Sequence, residues 1–239
     1  MKKVADIHGH YVFGVDDGAT TKEMSLAMIA SAYEQGARHI FCTSHDSANQ
    51  LLYRSVLATL QDAVKEQKLD LSLHPGCEIY CDEVYMDEII GLLKDGELPT
   101  MGESNYVLME FVPWETKEGI LTCIKKVRKE TEFQPIIAHF ERCLWVHDEE
   151  DIIDIIKDMK VPIQINGYSL VEDSNKNIRA FARKLLQEKV VTFIGSDAHR
   201  TNHRPVSLSS GVNYIYETCD EEYAKDVCYR NAEQLLLNR

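Results

Sequence analysis

Two short motifs carry metal-binding side chains at alternate positions. Asp6-Ile7-His8-Gly9-His10 offers two imidazoles, and Gly195-Ser196-Asp197-Ala198-His199 offers a carboxylate and an imidazole. Residues two apart in an extended segment face the same way, so each motif can aim two ligands at one region. The first motif alone fits a pair of exposed or capping histidines as well as a metal site; the second weighs against that reading. With Asp16, His45, Glu78, Glu110 and His139 there are nine candidate ligands, five imidazoles and four carboxylates. One zinc ion takes four ligands, so the set suits two or three ions. Imidazole and carboxylate without thiolate favour Mn, Fe or Zn over Cu(I) or an iron–sulfur cluster. Such clusters generate hydroxide at neutral pH and clamp the attacking and leaving oxygens of a phosphoryl displacement. Arg142 follows His139 by three residues, and Arg200 and Arg204 follow Asp197 by three and seven. Each could be a surface ion pair, but a guanidinium fork also matches phosphate oxygens, and cations beside an anionic site imply an anionic ligand.

Such residues need a scaffold, and the apolar pattern suggests one. Strands are expected at Val4–Ile7, His39–Thr43, Leu71–Leu73 running on towards Glu78, Tyr106–Glu110, Pro135–Ala138, Val161–Ile165 and Val191–Gly195. Between them amphipathic stretches read as helices: Thr21–Gln35 with Gly36 as its stop, Gln50–Gln67, Asp82–Lys94, Thr116–Glu130, Glu149–Lys157 and Lys176–Glu188, with a helical tail over Glu221–Leu237. Seven strand-then-helix units predict a parallel sheet, and their even spacing favours a closed α/β barrel. His8, His45, Glu78, Glu110, His139, Asn166 and Asp197 each fall at the C-terminal end of a strand, the face on which α/β barrels build active sites.

Composition narrows the function further. At 239 residues with no linker-like tract, one domain over 1–239 is expected. The start lacks an apolar signal segment and no run is long enough to span a membrane, so a cytoplasmic protein without membrane insertion is expected. Seven scattered cysteines with no C-x-x-C read as reduced core thiols. A formal charge of −13 argues against nucleic acid as a partner. The Cys-x5-Arg loop of thiol phosphatases, the P-loop and G-x-S-x-G are all absent from the sequence. His39, His74, His147 and His203 have no partner pattern and read as surface or packing residues, and Asp17 as a neighbour of a ligand or a helix cap.

The same segments resemble a known group. Asp6–His10 followed by Gly14-Val-Asp-Asp-Gly-Ala19 is similar to the opening of the polymerase-and-histidinol-phosphatase (PHP) superfamily, and within it to the bacterial manganese-dependent protein-tyrosine phosphatases of capsular and exopolysaccharide biosynthesis. The likeness continues through Thr43–His45, Pro75–Glu78, Leu108–Phe111, Pro135–Arg142, Ile165–Leu170, Ser196–His199 and Arg204-Pro205. It implies a distorted (β/α)7 barrel with three divalent ions, Mn first and Fe or Zn as alternatives. His8, His10, Glu78 and Asp197 would hold one ion. Glu78, Glu110 and His139 would hold a second, and Asp16, His45 and His199 a third, with Arg142 and Arg204 binding phosphate. The implied activity is attack of a metal-bound hydroxide on phosphotyrosine in a protein such as a bacterial tyrosine autokinase. The alternatives are a histidinol-phosphate or other small phosphoesterase, and a non-catalytic metal-bound regulator. The chain departs from the family pattern at Gly9, Tyr11, Phe13, Phe140, Cys143 and Arg200, and Tyr11 and Phe13 are expected beside the mouth of the site.

Overall fold

The computed structural model describes residues 2–171 and 174–237. Seven parallel strands lie side by side in sequence order: β1 (Val4–Asp6), β2 (Ala37–His45), β3 (Ser72–Tyr80), β4 (Tyr106–Glu110), β5 (Gln134–Ile137), β6 (Ile163–Asn166) and β7 (Val191–Gly195). Between them run α1 (Lys22–Glu34), α2 (Gln50–Glu66), α3 (Met86–Lys94), α4 (Lys117–Glu130), α5 (Ile152–Met159) and α6 (Lys176–Gln187). After β7 come α7 (Ser209–Thr218), α8 (Glu221–Lys225) and α9 (Asn231–Leu237). The result is a nearly closed α/β barrel. Its first and last strands meet mainly at their C-terminal ends, where Ile7 N–H donates to the Ile194 carbonyl at 3.4 Å, Gly9 and Ala198 bridge, Asp197 N–H donates to the His8 carbonyl at 2.7 Å and His10 N–H to the Ala198 carbonyl at 2.8 Å.

Local chemistry explains the helix limits. The side chains of Thr21, Asn49, Thr116 and Asn175 accept backbone N–H bonds at the starts of α1, α2, α4 and α6. Gly36 follows α1 with φ of 102°, a conformation that glycine takes without a Cβ clash. α3 starts at Met86, four residues after the expected Asp82, because the Asp82 carboxylate accepts from Val84 N–H and forms a turn there. The tail is helical over Glu221–Leu237 as expected, with one π turn over Asp226–Arg230 between α8 and α9.

Two apolar clusters fill the molecule. The larger lies between strands and helices; the smaller, with Ala5, Ile7, Phe41, Leu108, Ile136 and Phe193, fills the barrel and is closed below by Met101, Ala232 and Leu235. Strand side chains alternate between these two cores. On β2 the inward series is Phe41, Thr43, His45, and on β4 it is Leu108, Glu110. The interior therefore changes from apolar to ionisable towards the C-terminal ends of the strands. His39 and His74 lie low in the barrel, where their facing ring nitrogens are 2.9 Å apart.

Candidate metal centre

The β1 and β7 motifs face each other across the barrel seam, and Asp6 joins them. Its buried carboxylate accepts from Ser196 N–H at 2.7 Å, from Ser196 Oγ at 2.6 Å and from Tyr11 Oη at 2.6 Å. Burial raises the Asp6 carboxyl above the usual range, with these bonds opposing. Tyr11 is thus fully buried, not at the mouth as expected, and Phe13 packs partly buried against the outer core. Phe140 is buried beside Phe181, and Arg200 donates to the carbonyls of Asp17 and Gly18, bracing that turn.

Glu78 stands at the centre. Its carboxylate lies 3.1 Å from Nε2 of both His8 and His10, 2.9 Å from His139 Nε2 and 3.3 Å from His45 Nδ1. Glu110 faces His139 at 3.4 Å and His45 at 3.9 Å. Among the described residues, three overlapping groups bring ligand atoms within 4.8 Å of one another: His8, His10, Glu78 and Asp197; His45, Glu78 and Glu110; and His10, Asp17, His45 and His199. His139, expected as a ligand, faces Glu78 and Glu110 but belongs to none of these groups, and neither does Asp16. The Asp16 Oδ2 accepts from His10 Nδ1 at 2.8 Å, while Asp17 presents Oδ1 at 3.4 Å to both His45 and His199. Adjacent acids look alike in a sequence; the turn geometry decides which one faces inward.

The hydrogen bonds set the imidazole tautomers. Gln164 Oε1 accepts from His139 N–H at 2.8 Å, which identifies that atom as the amide oxygen, so His8 Nδ1, 3.1 Å away, must donate to it. Asp16 holds the His10 Nδ1 proton in the same manner, and the Asp197 carbonyl holds that of His199 at 3.0 Å. With Nδ1 so engaged, all three rings turn Nε2 towards the carboxylates, and that is the atom a cation would take. The Nε2 atoms of His8 and His10 are buried and make no hydrogen bond despite lying close to Glu78. Buried imidazole nitrogens without hydrogen-bond partners that converge on carboxylate oxygens are the donor set a divalent cation takes up, so these residues fit a metal cluster. Gln164 was not singled out in the sequence, although a glutamine between Ile163 and Ile165 on a core strand is a visible signal of an inward polar contact.

The electrostatics agree with that reading. Burial alone would raise Asp197 and Glu78 and lower His10. The imidazoles of His8 and His10 nonetheless hold both carboxyls well below their ordinary range, and Asp16, Asp197 and Glu78 hold His10 well above its own. His139, opposed by burial, is lifted to about 10 by Glu110 and Glu78. His199 is lowered to about 4 by burial, by His10 and by Arg204, whose Nη1 donates to its Nε2 at 3.0 Å.

Asp197 has a divided role. Oδ1 faces the imidazoles, 3.7 Å from Nε2 of His8 and His10. Oδ2 accepts from Arg142 Nη1 at 2.9 Å, from Arg204 Nη2 and from Asn166 Nδ2 at 3.1 Å. His139, Asp197 and Arg204 all have positive φ, at 27°, 51° and 52°, a backbone cost that non-glycine residues tend to bear at functional sites. A cavity of about 610 Å³ opens over this edge, lined by Arg142, Tyr168, Ile178, Asp197, Arg204 and Pro205. A larger cavity of about 1070 Å³, between Tyr53, Pro75 and Phe133, contains none of the candidate ligands and lies elsewhere on the barrel. None of the seven cysteines is paired, and burial raises their thiols, Cys123 to about 12, which disfavours a thiolate nucleophile.

Residues 4–237 match the family model for capsular polysaccharide synthesis, CpsB/CapC. The chain belongs to this family. It is 30% identical over 244 residues to the tyrosine-protein phosphatase CpsB of Streptococcus agalactiae, covering 98% of both chains. It is 28% identical to the tyrosine-protein phosphatase YwqE of Bacillus subtilis, covering 98% of this chain and 92% of that one. In fold it matches a solved chain from the work on the metal-dependent tyrosine phosphatases YwqE of B. subtilis and CpsB of Streptococcus pneumoniae. The TM-score is 0.87 at 24% identity, over 98% of this chain and 95% of that one. No described helix is long and apolar enough to cross a membrane.

Proposed function

We propose that this CpsB/CapC family member is a metal-dependent phosphomonoesterase that removes phosphate from phosphotyrosine in proteins, a tyrosine kinase of polysaccharide synthesis among them. The observation that carries the reading is the meeting of Arg142 and Arg204 on Asp197 Oδ2, at the edge of the ligand cluster and facing a cavity. Their guanidiniums have N–H groups beyond those used on Asp197 and His199, and these match the oxygens of a phosphoryl group. The three overlapping ligand groups support three divalent ions, manganese first and iron or zinc as alternatives. His8, His10, Glu78 and Asp197 would hold one ion. Glu78 and Glu110 with His45 and His139 would hold a second, and Asp17, His45 and His199 a third, with Asp16 fixing His10 from behind. Bound there, the ions supply Lewis-acid activation of the phosphoryl group and of the attacking water. The arginines orient the phosphoryl group and take up charge that develops on its oxygens. A tyrosyl leaving group, with a pKa of about 10, departs with less help from a proton donor than an alkoxide would need.

The test is phosphate release by chelator-stripped, manganese-reloaded protein, with a phosphotyrosine peptide and histidinol phosphate side by side. We expect the peptide to be preferred. Arg204→Ala should lower kcat/KM about 10²–10³-fold with metal content unchanged. Preference for histidinol phosphate would move the enzyme to small-molecule metabolism. No release from either ester, with metal bound, would make it a regulator.

A further inference from the structure

Scattered exposed apolar residues are ordinary on protein surfaces. Here they are not scattered. Of nine large apolar residues exposed among the described residues, eight lie on segments that leave the C-terminal ends of strands. They include Val84 and Tyr85 after β3, Trp114 after β4, Leu144 and Trp145 after β5, and Tyr168 after β6. The same strand ends carry the candidate ligands, so the apolar rim lies on the same face of the barrel as the metal centre. Both tryptophans of the chain belong to the rim, each 61% exposed.

The two tryptophans sit on adjoining, braced loops. Trp145 N–H donates to the Pro113 carbonyl at 3.3 Å, and Lys117 pairs with Glu149 and Asp151 at 3.0 Å across the same two segments. Bracing lowers the ordering cost of a partner that lands there. Beside Trp145 a cleft of about 290 Å³ is walled by Leu144, Glu118, Asp148, Glu149 and Lys117, whose ammonium is engaged by Glu149 and Asp151. Segments 112–118 and 143–151 together hold six carboxylates and one lysine.

We propose that the Trp114–Trp145 rim and its acidic cleft dock the polypeptide on either side of the phosphotyrosine, and that they select apolar and basic flanking residues. This rests on the phosphotyrosine activity proposed above. Tryptophan is the residue most enriched at binding hot spots, and an apolar substrate side chain would cover the indoles. The carboxylates attract lysine or arginine, whereas an anionic bilayer or the same face of a second copy would be repelled.

The experiment uses the full manganese-loaded chain and three substrates: free phosphotyrosine, a short phosphotyrosine peptide with leucine and lysine flanks, and the same peptide with glycine and glutamate flanks. The leucine–lysine peptide should have the highest kcat/KM. Trp114→Ala combined with Trp145→Ala should lower that value about tenfold or more, through KM, and leave free phosphotyrosine unchanged. The flank comparison on the wild type needs no variant, so a folding defect cannot mask the answer. Hydrolysis of all three substrates with no flank preference would overturn the docking surface alone. Hydrolysis of none would overturn the phosphatase reading and the inference with it. A wild-type dimer that Trp145→Ala dissolves, with peptide rates unchanged, would assign the rim to self-association and overturn the proposal.

Discussion

A Cβ on Gly9 would overlap the Tyr11 ring, with Tyr11 Cδ2 only 2.9 Å away, and that ring is fully buried with its hydroxyl on Asp6. Gly9 and Tyr11 therefore form a coupled pair: the large residue needs the small one. Gly9→Ser alone should cost about 1–3 kcal/mol through overpacking, and the same change should cost clearly less when made in a Tyr11→Ile background. Denaturant midpoints of the two single variants and the double variant measure that coupling. The histidines give a second prediction at this scale. In the metal-free protein His10 is held well above its ordinary pKa and His139 at about 10, so both carry protons at neutral pH. A metal ion must displace these protons, so loading releases them, and apparent affinity rises with pH until His139 has titrated near 10. Calorimetry of manganese binding in two buffers of different ionisation enthalpy should register the release, and affinity should fall from pH 8 to pH 6.

The elements set how firmly the ligands are held. β1 and β7 share few ladder bonds, and much of their seam at the ligand end runs through Asp6, which links the His-x-His turn to Ser196. Asp6→Ala strands the Tyr11 hydroxyl and two Ser196 donors in a buried site, a loss of about 3 kcal/mol or more. It should weaken manganese binding as well as lower the melting temperature, whereas a core truncation of equal cost far from the seam should lower only the melting temperature. α7 shows the limit of local signals. Its sequence, with two serines, a glycine and an asparagine in ten residues, has poor helix propensity, and no helix is expected there. It forms because Gly211 packs onto the backbone of Gly167, where a Cβ would come within 2.6 Å of the Gly167 Cα. That contact depends on the β6 loop being in place, so tertiary packing overrides propensity.

For the whole molecule, the formal charge of −13 overstates the repulsion in the metal-loaded state. Carboxylates at the centre of the barrel would be neutralised by bound cations. Ions that bind the folded chain and not the unfolded one stabilise it by mass action, about 2.7 kcal/mol at a hundredfold excess over Kd. Chelator treatment should therefore lower the melting temperature. Manganese should restore it in a concentration-dependent way, and the shift should shrink in Glu78→Gln, since Glu78 joins two of the three ligand groups.

The parallel sheet, its strands and most of the side chains that meet at the candidate metal centre were legible in the sequence. Those follow from short apolar runs that alternate with amphipathic helical stretches and from polar residues at strand ends, which are local signals. Arg142 and Arg204 could be singled out because they sit a few residues from candidate ligands on the same loops. Tertiary structure alone decided that Asp17 rather than Asp16 faces His45 and His199, that Tyr11 lies under the site instead of at its mouth, and that Gln164 fixes the tautomer of His8. Each of these depends on where a turn or a strand points a side chain relative to a distant partner. That direction arises only when β1, β6 and β7 meet around one axis.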